Sequence, residues 1–127
     1  ALPGTGSSLP QALTVLGTTA FFHAEGTAGR ELWRTDGTPA ATFQVIDLKA
    51  GVGAGIPERS RMATAGGLLV FSGDDGTSGA EPFATDGSAA GTGLLLDIQR
   101  NAPGSMPRAF AGDGEFVLFA ANDGSSG

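Results

Sequence analysis

The residues of this chain that could perform chemistry are mostly carboxylates and carboxamides in glycine-rich loops. The clearest candidates lie in two similar segments, Asp74-Asp75-Gly76 and Asn122-Asp123-Gly124. Oxygen atoms of Asp, Asn and the backbone are the ligands that Ca²⁺ prefers. We therefore take four residues as candidate Ca²⁺ ligands: Asp74, Asp75, Asn122 and Asp123. A solvated polar turn is the alternative, because the spacing is not that of an EF-hand loop.

Aromatic side chains form a second candidate site. Trp33 is the only tryptophan of the chain, and Phe83 follows it by 50 positions. A flat ring can stack on a sugar, and the same ring can equally pack between two sheets. Trp33, Phe83 and the neighbouring Arg34 are therefore the candidate ligand-binding residues, with packing as the open alternative.

Catalytic groups are sparse. The chain has one histidine, His23, and no cysteine, and it lacks the Gly-x-Ser-x-Gly elbow of serine hydrolases. Asp47 and Asp97 could form a glycosidase pair, but equivalent positions in a repeat more often bond a loop. Asp36-Gly37 and Asp86-Gly87 fit tight turns. We expect no enzymatic activity.

All these candidates belong to a repeat of about 50 residues. The segment from Glu31 to Thr42, ELWRTDGTPAAT, returns from Glu81 to Thr92 as EPFATDGSAAGT. Self-similarity at a fixed period indicates a repeat architecture. The chain reads as one repeat domain, residues 1–127, with a first repeat at about 1–49, a second at about 50–99 and a half repeat at about 100–127.

Each repeat reads as four short strands separated by glycine turns, of which Gly66-Gly67 is the clearest. The runs Leu68–Phe71 and Leu94–Leu96 are apolar on both faces, which predicts burial between layers. The predicted strands are 11–16, 19–24, 31–35 and 42–48, then 59–65, 68–72, 81–85 and 93–98, and finally 108–111 and 115–121.

Four antiparallel strands in about 50 residues is typical of a β-propeller blade. The predicted fold is therefore all-β, a β-propeller-like repeat of four-stranded antiparallel blades, with about two and a half blades in this chain. A β-sandwich and a β-solenoid are the alternatives. Because so few blades cannot close a ring, we expect other chains, or the remainder of a longer polypeptide, to complete it. The isolated chain is expected not to be a stable monomer.

Composition excludes several functional classes. The formal net charge of −6 disfavours a nucleic-acid surface. No apolar run reaches the roughly 20 residues of a membrane-spanning helix. Arg59-Ser60-Arg61 is a small basic segment in this acidic chain, and we interpret it as an ion-pairing surface.

The segment from Glu31 to Thr42 resembles the ELWxxDGTxxGT repeat of large bacterial extracellular proteins, myxobacterial ones among them. The first copy departs from that pattern at Ala41, and the second at Pro82, Phe83 and Ser88. The resemblance implies a secreted or surface-attached protein with no defined catalytic activity. The expected function is a non-catalytic extracellular binding or adhesion module with glycans as candidate ligands. A structural or interaction scaffold is the alternative.

Overall fold

The computed structural model describes residues 6–101 and 103–125, which form ten β-strands and no helix. None of these residues therefore belongs to a helix that could cross a membrane. The strands are β1 (Gln11–Leu16), β2 (Thr19–Gly26), β3 (Gly29–Thr35), β4 (Phe43–Ile46), β5 (Met62–Ala65), β6 (Leu68–Asp74), β7 (Ala80–Thr85), β8 (Thr92–Leu94), β9 (Arg108–Gly112) and β10 (Val117–Ala120).

The strands pair with their sequence neighbours in three antiparallel sheets. Sheet A has the order β1-β2-β3-β4, sheet B has the order β5-β6-β7-β8, and sheet C consists of β9 and β10. The all-β prediction and the two four-stranded units are confirmed. The sheets do not form a closed propeller within the described part of the chain.

Each sheet has one face that carries two aromatic residues, which we call its aromatic face. Successive side chains of a strand point to opposite faces, so this face is distinct from the one that carries Phe21 and Leu32 in sheet A. The defining residues are Phe22 and Trp33 in sheet A, Phe71 and Phe83 in sheet B, and Phe110 and Phe119 in sheet C.

The aromatic face of one sheet packs on the opposite face of the preceding sheet. Phe71 and Phe83, whose ring centroids lie 6.1 Å apart, share a core with Phe21 and Leu32 of sheet A. In the same way Phe110 packs with Val70 and Ala84 of sheet B. Sheet B is thus covered on both sides, as the apolar run at Leu68–Phe71 predicts.

Four predicted strands, 42–48, 59–65, 93–98 and 115–121, are shorter than expected, and one expected core segment is exposed. β8 ends at Leu94 because its next partner would be Pro82, which has no N–H to donate. The N–H of Leu95 still donates to the carbonyl oxygen of Pro82 at 2.8 Å, but the ladder continues no further. Leu95 and Leu96 are 51% and 63% exposed, so the predicted burial of this run is wrong. β5 begins only at Met62, since Arg59 has a φ of 61°, outside the extended region.

Candidate functional site

Phe83 and Trp33 occupy equivalent positions but differ in exposure. Phe83 is 3% exposed within the core between sheets A and B, so its ring offers no free face to a ligand. Trp33 is half-buried on the aromatic face of sheet A, opposite Phe22 on β2. Its indole Nε1 is buried without a hydrogen-bond partner in the described residues. The structure therefore fits the packing alternative for Phe83 and leaves Trp33 as the accessible ring.

Arg34 joins two sheets. Its Nη1 donates a hydrogen bond of 2.9 Å to the carbonyl oxygen of Gly87 in the β7–β8 turn. Its guanidinium carbon also lies 5.3 Å from the ring centroid of Phe43, which is a cation–π distance. Arg34 points away from Trp33, because neighbours along a strand face opposite sides. The predicted set of Trp33, Phe83 and Arg34 is thus not brought together on one surface.

The Asp-Gly turns are held by the residues that the repeat preserves. The Oδ1 atom of Asp86 accepts hydrogen bonds from the backbone N–H and the hydroxyl of Ser88, at 2.8 and 2.7 Å. Asp36 bonds Thr38 in the same way in sheet A. These bonds keep the pKa of Asp36 and Asp86 below the usual value. The alternative of turn chemistry therefore accounts for both aspartates.

A chain of hydroxyl groups completes each turn. Thr92 donates to the carbonyl oxygen of Ser88, so in its 2.6 Å contact with Thr85 it must accept. Thr85 in turn accepts from the N–H of Gly87. The same chain recurs around Thr35 and Thr42. The hydrogen bonds of the turn thus account for the threonines that precede and follow each Asp-Gly pair, without a ligand.

In the first candidate calcium loop, donors of the protein itself already bind the carboxylate oxygens of Asp74 and Asp75. Asp74 Oδ1 accepts from the N–H of Gly76, and its Oδ2 forms a 2.7 Å ion pair with Lys49. Asp75 Oδ1 accepts from the N–H groups of Thr77 and Ser78, both at 2.8 Å. The lysine ammonium stands where a cation would bind Asp74, so these oxygens do not fit Ca²⁺ unless Lys49 moves away.

The second candidate loop follows β10 and repeats this geometry. Asn122 Oδ1 accepts from Gly124 N–H at 2.7 Å, and Asp123 Oδ1 accepts from Ser125 N–H at 2.8 Å. Across residues 6–101 and 103–125, no three His, Asp or Glu side chains form a group that could hold a metal. These contacts fit the polar-turn alternative, and the calcium site stays a prediction.

Two glutamates that were not among the candidate residues, Glu31 and Glu81, are fully buried and accept several hydrogen bonds each. Glu31 accepts hydrogen bonds from the N–H of Leu48 at 3.1 Å and from that of Gly55 at 2.9 Å. Glu81 accepts from the N–H of Ile98, Gln99 and Ser105, and from the Ser105 hydroxyl at 2.5 Å. A charged residue that opens both copies of the motif was the available signal.

The environment of Glu31 disfavours its charged form. Burial raises the pKa of this carboxyl to about 7, although the N–H groups of Leu48 and Gly55 act in the opposite direction. Burial of a carboxyl penalises its ionised form, and hydrogen bonds from N–H groups compensate only in part. Glu31 lies near the start of β3, and Glu81 lies near the start of β7. Each glutamate binds the loop that leads to the next sheet. Their role is therefore structural.

His23 is fully buried between sheets A and B. One imidazole nitrogen, Nε2, lies 3.0 Å from the carbonyl oxygen of Ser60, which can only accept, so Nε2 carries the proton. Burial is the main cause of its lowered pKa. No catalytic partner approaches Nδ1 among the described residues. His23 thus joins the segment before β5 to sheet A.

Comparison with protein-family models, with curated proteins and with solved structures finds no significant match to this chain.

Proposed function

We propose that this chain is a non-catalytic repeat scaffold whose partners are further sheets of the same kind, packed face to face. Sheets A, B and C stack by one rule, in which an aromatic face meets the opposite face of the preceding sheet. The proposal extends that rule beyond the chain's own sheets. In this proposal the repeat corresponds to propeller-like blades that other chains, or further repeats, complete.

One observation carries the proposal. The aromatic face of sheet A has no preceding sheet in the described structure, and its residues Leu13 and Val15 are 72% and 62% exposed. The equivalent face of sheet B, with Phe71 and Phe83, is fully covered by sheet A. Exposed apolar patches of this kind mark interaction surfaces.

The preserved residues of the motif also favour a scaffold. Glu31, Asp36 and Thr42, and their counterparts Glu81 and Asp86, are all engaged in loop or turn hydrogen bonds. A motif that is repeated for folding needs no shared ligand. The resemblance to the extracellular ELWxxDGT repeat is the basis for proposing a secreted or surface-attached location.

Sedimentation velocity of the 127-residue chain over a wide concentration range tests the proposal. We expect association that grows with concentration, because the aromatic face of sheet A can accept a second copy. Val15→Glu should abolish it by placing a charge in the interface, whereas Val52→Glu, on an exposed loop, should not. A wild-type chain that stays monomeric and unfolds cooperatively at every concentration would overturn the proposal.

Adhesion through glycans is the second candidate, and Trp33 is the observation that favours it. Its ring is half-buried on the same uncovered face, and its Nε1 has no hydrogen-bond partner in the described chain. Trp33→Ala should then remove binding on a glycan array, while Phe43→Ala, on the other face, should leave it intact. An array without hits at high protein concentration argues for the scaffold alone.

A further inference from the structure

A cavity of about 810 Å³ opens between the segment that leads into β5 and the loop that leads into β9. Arg59 and Arg61 line it from the first segment, and Arg108, at the start of β9, lines it from the other side. An adjoining cavity of about 420 Å³ shares Arg59, Arg61 and Phe110 and extends towards β1. The arginines thus lie along a continuous cleft where the first strands of the three sheets meet.

In the part of the chain that the structure describes, the arginines of this cleft outnumber its carboxylates. The chain has 7 Lys and Arg residues against 13 Asp and Glu, yet three of the arginines line this one cavity. Among the described residues, the ion pairs are Arg30 with Glu25 and Lys49 with Asp74, so the predicted ion pairs of Arg59-Ser60-Arg61 are not found. Apart from these ion pairs, the arginine donor among the side-chain hydrogen bonds of residues 6–101 and 103–125 is Arg34, so none engages these three guanidinium groups.

The acidic groups of the cavity do not cancel the arginines. Asp74 is one of the lining residues, but Lys49 already neutralises its carboxylate at 2.7 Å. Glu58 is exposed and is the other lining carboxylate. The cavity therefore keeps a positive excess in a chain whose overall charge is negative, and this excess would attract anions into the cleft.

The rest of the wall is apolar. Pro57, Pro107 and Phe110 line it, the last two with little exposed surface, and Met106 is 54% exposed at the margin. A small inorganic ion would leave these surfaces in contact with water. A ligand that carries carboxylates on a carbon ring would instead cover them while it meets the guanidinium groups.

We propose that this cleft binds an organic polycarboxylate of about disaccharide size, with an acidic sugar as the type of ligand. The planar guanidinium group binds a carboxylate through two parallel hydrogen bonds. Three such groups around one cavity fit a ligand with at least two carboxylates. The volume lies within the range of cavities that hold small organic molecules. The site does not depend on whether further sheets cover sheet A.

Calorimetric titration of the whole chain with digalacturonate, in low-salt buffer, tests the site. We expect saturable binding that weakens as salt is added, since the charges are exposed. Arg61→Gln and Arg108→Gln should each weaken it by about tenfold, while Arg100→Gln, an exposed arginine outside the cleft, should not. Arg61→Lys keeps the positive charge but cannot form the bidentate hydrogen bonds of a guanidinium group, so it should give an intermediate affinity.

Matched ligands separate the possible sources of binding. Lactose, a neutral disaccharide, should not bind, and inorganic phosphate should bind more weakly than digalacturonate because it leaves the apolar wall uncovered. Equal affinities for phosphate and digalacturonate would overturn the proposal that the ligand is organic. Absence of digalacturonate binding, or binding unaffected by Arg61→Gln and Arg108→Gln in variants with wild-type circular dichroism, would overturn the site. Neither result bears on association through sheet A, which sedimentation measures separately.

Discussion

The carboxyl groups of Glu31 and Glu81 occupy equivalent buried positions 50 residues apart, and each binds the loop that leads to the next sheet. The loops differ most clearly at the residue 24 positions after each glutamate. Ser105 donates both its N–H and its hydroxyl to Glu81, whereas Gly55 offers only its N–H to Glu31. A Cβ at position 55 would lie 2.6 Å from Glu31 Oε1, which explains the glycine there. The glutamate that opens the repeated motif therefore holds the following loop in place.

Replacement of Glu81 should unfasten the loop between sheets B and C. In Glu81→Ala the N–H groups of Ile98, Gln99 and Ser105 lose their buried acceptor, and we expect the free energy of unfolding to fall by about 3 kcal/mol. Chemical denaturation measures this loss. Glu115→Ala, at an exposed site, is the control and should change stability by less than about 0.5 kcal/mol. Similar stabilities for the two variants would contradict the anchor role.

The raised pKa of Glu31 gives stability a specific pH dependence. Its pKa is about 7 in the folded chain against 4.5 for an unperturbed glutamate, so the folded state binds more protons between these values. Stability therefore falls as pH rises from about 4.5 to about 7 and is constant above, with a total contribution of about 3 kcal/mol. Glu31→Gln cannot titrate and should lose this slope.

Unfolding free energies of wild type and Glu31→Gln at several pH values provide the test. Their difference isolates Glu31 from His23, whose lowered pKa acts in the opposite direction, because it removes stability as pH falls below 6.5. It also isolates Glu31 from Asp36 and Asp86, whose lowered pKa values matter only below about 4. Parallel curves for the two proteins between pH 4.5 and 7 would show that the carboxyl keeps an ordinary pKa.

The strand plan of this chain could be predicted because its signals are local. The two glycines at 66 and 67 both have positive φ, so the hairpin between β5 and β6 needs no tertiary information. The end of β8 depends instead on Pro82 in the neighbouring strand. The left-handed Arg59 likewise became visible only in three dimensions. Pairing partners and strained backbone are not encoded in hydrophobic pattern alone.

The candidate sites were harder to predict, because residue type does not reveal what a side chain contacts. Asp74 is a plausible calcium ligand by type, and Lys49, 25 residues earlier, becomes its partner only after folding. Trp33 and Phe83 occupy equivalent positions in the two repeats, yet a preceding sheet covers only Phe83. The cleft around Arg61 and Arg108 joins residues from two repeats. No local motif could indicate it.

The contact of Arg34 with Gly87 predicts a stability effect at a residue that the sequence suggested for ligand binding. Arg34→Met keeps much of the side-chain length but loses the hydrogen bond to the Gly87 carbonyl and the contact with Phe43. We expect a loss of about 1.5 kcal/mol in the free energy of unfolding. Thermal unfolding compares it with Arg100→Met, an exposed control. If Arg34 served a ligand alone, both variants would unfold at the wild-type temperature.

The turn and calcium interpretations of Asp74 and Asp75 differ in their response to Ca²⁺. A bound ion stabilises the folded state by mass action, so the melting temperature would rise with Ca²⁺ concentration. Because Lys49 already pairs with Asp74 and loop N–H groups bind Asp75, we expect the same melting temperature in 5 mM EDTA and about 5 mM Ca²⁺.

Lys49→Gln frees the Asp74 carboxylate and should lower the free energy of unfolding by less than about 1 kcal/mol, since the ion pair is partly exposed. A calcium-dependent rise in the wild type that disappears in Asp75→Asn, but persists in Asp113→Asn, would instead establish the metal site.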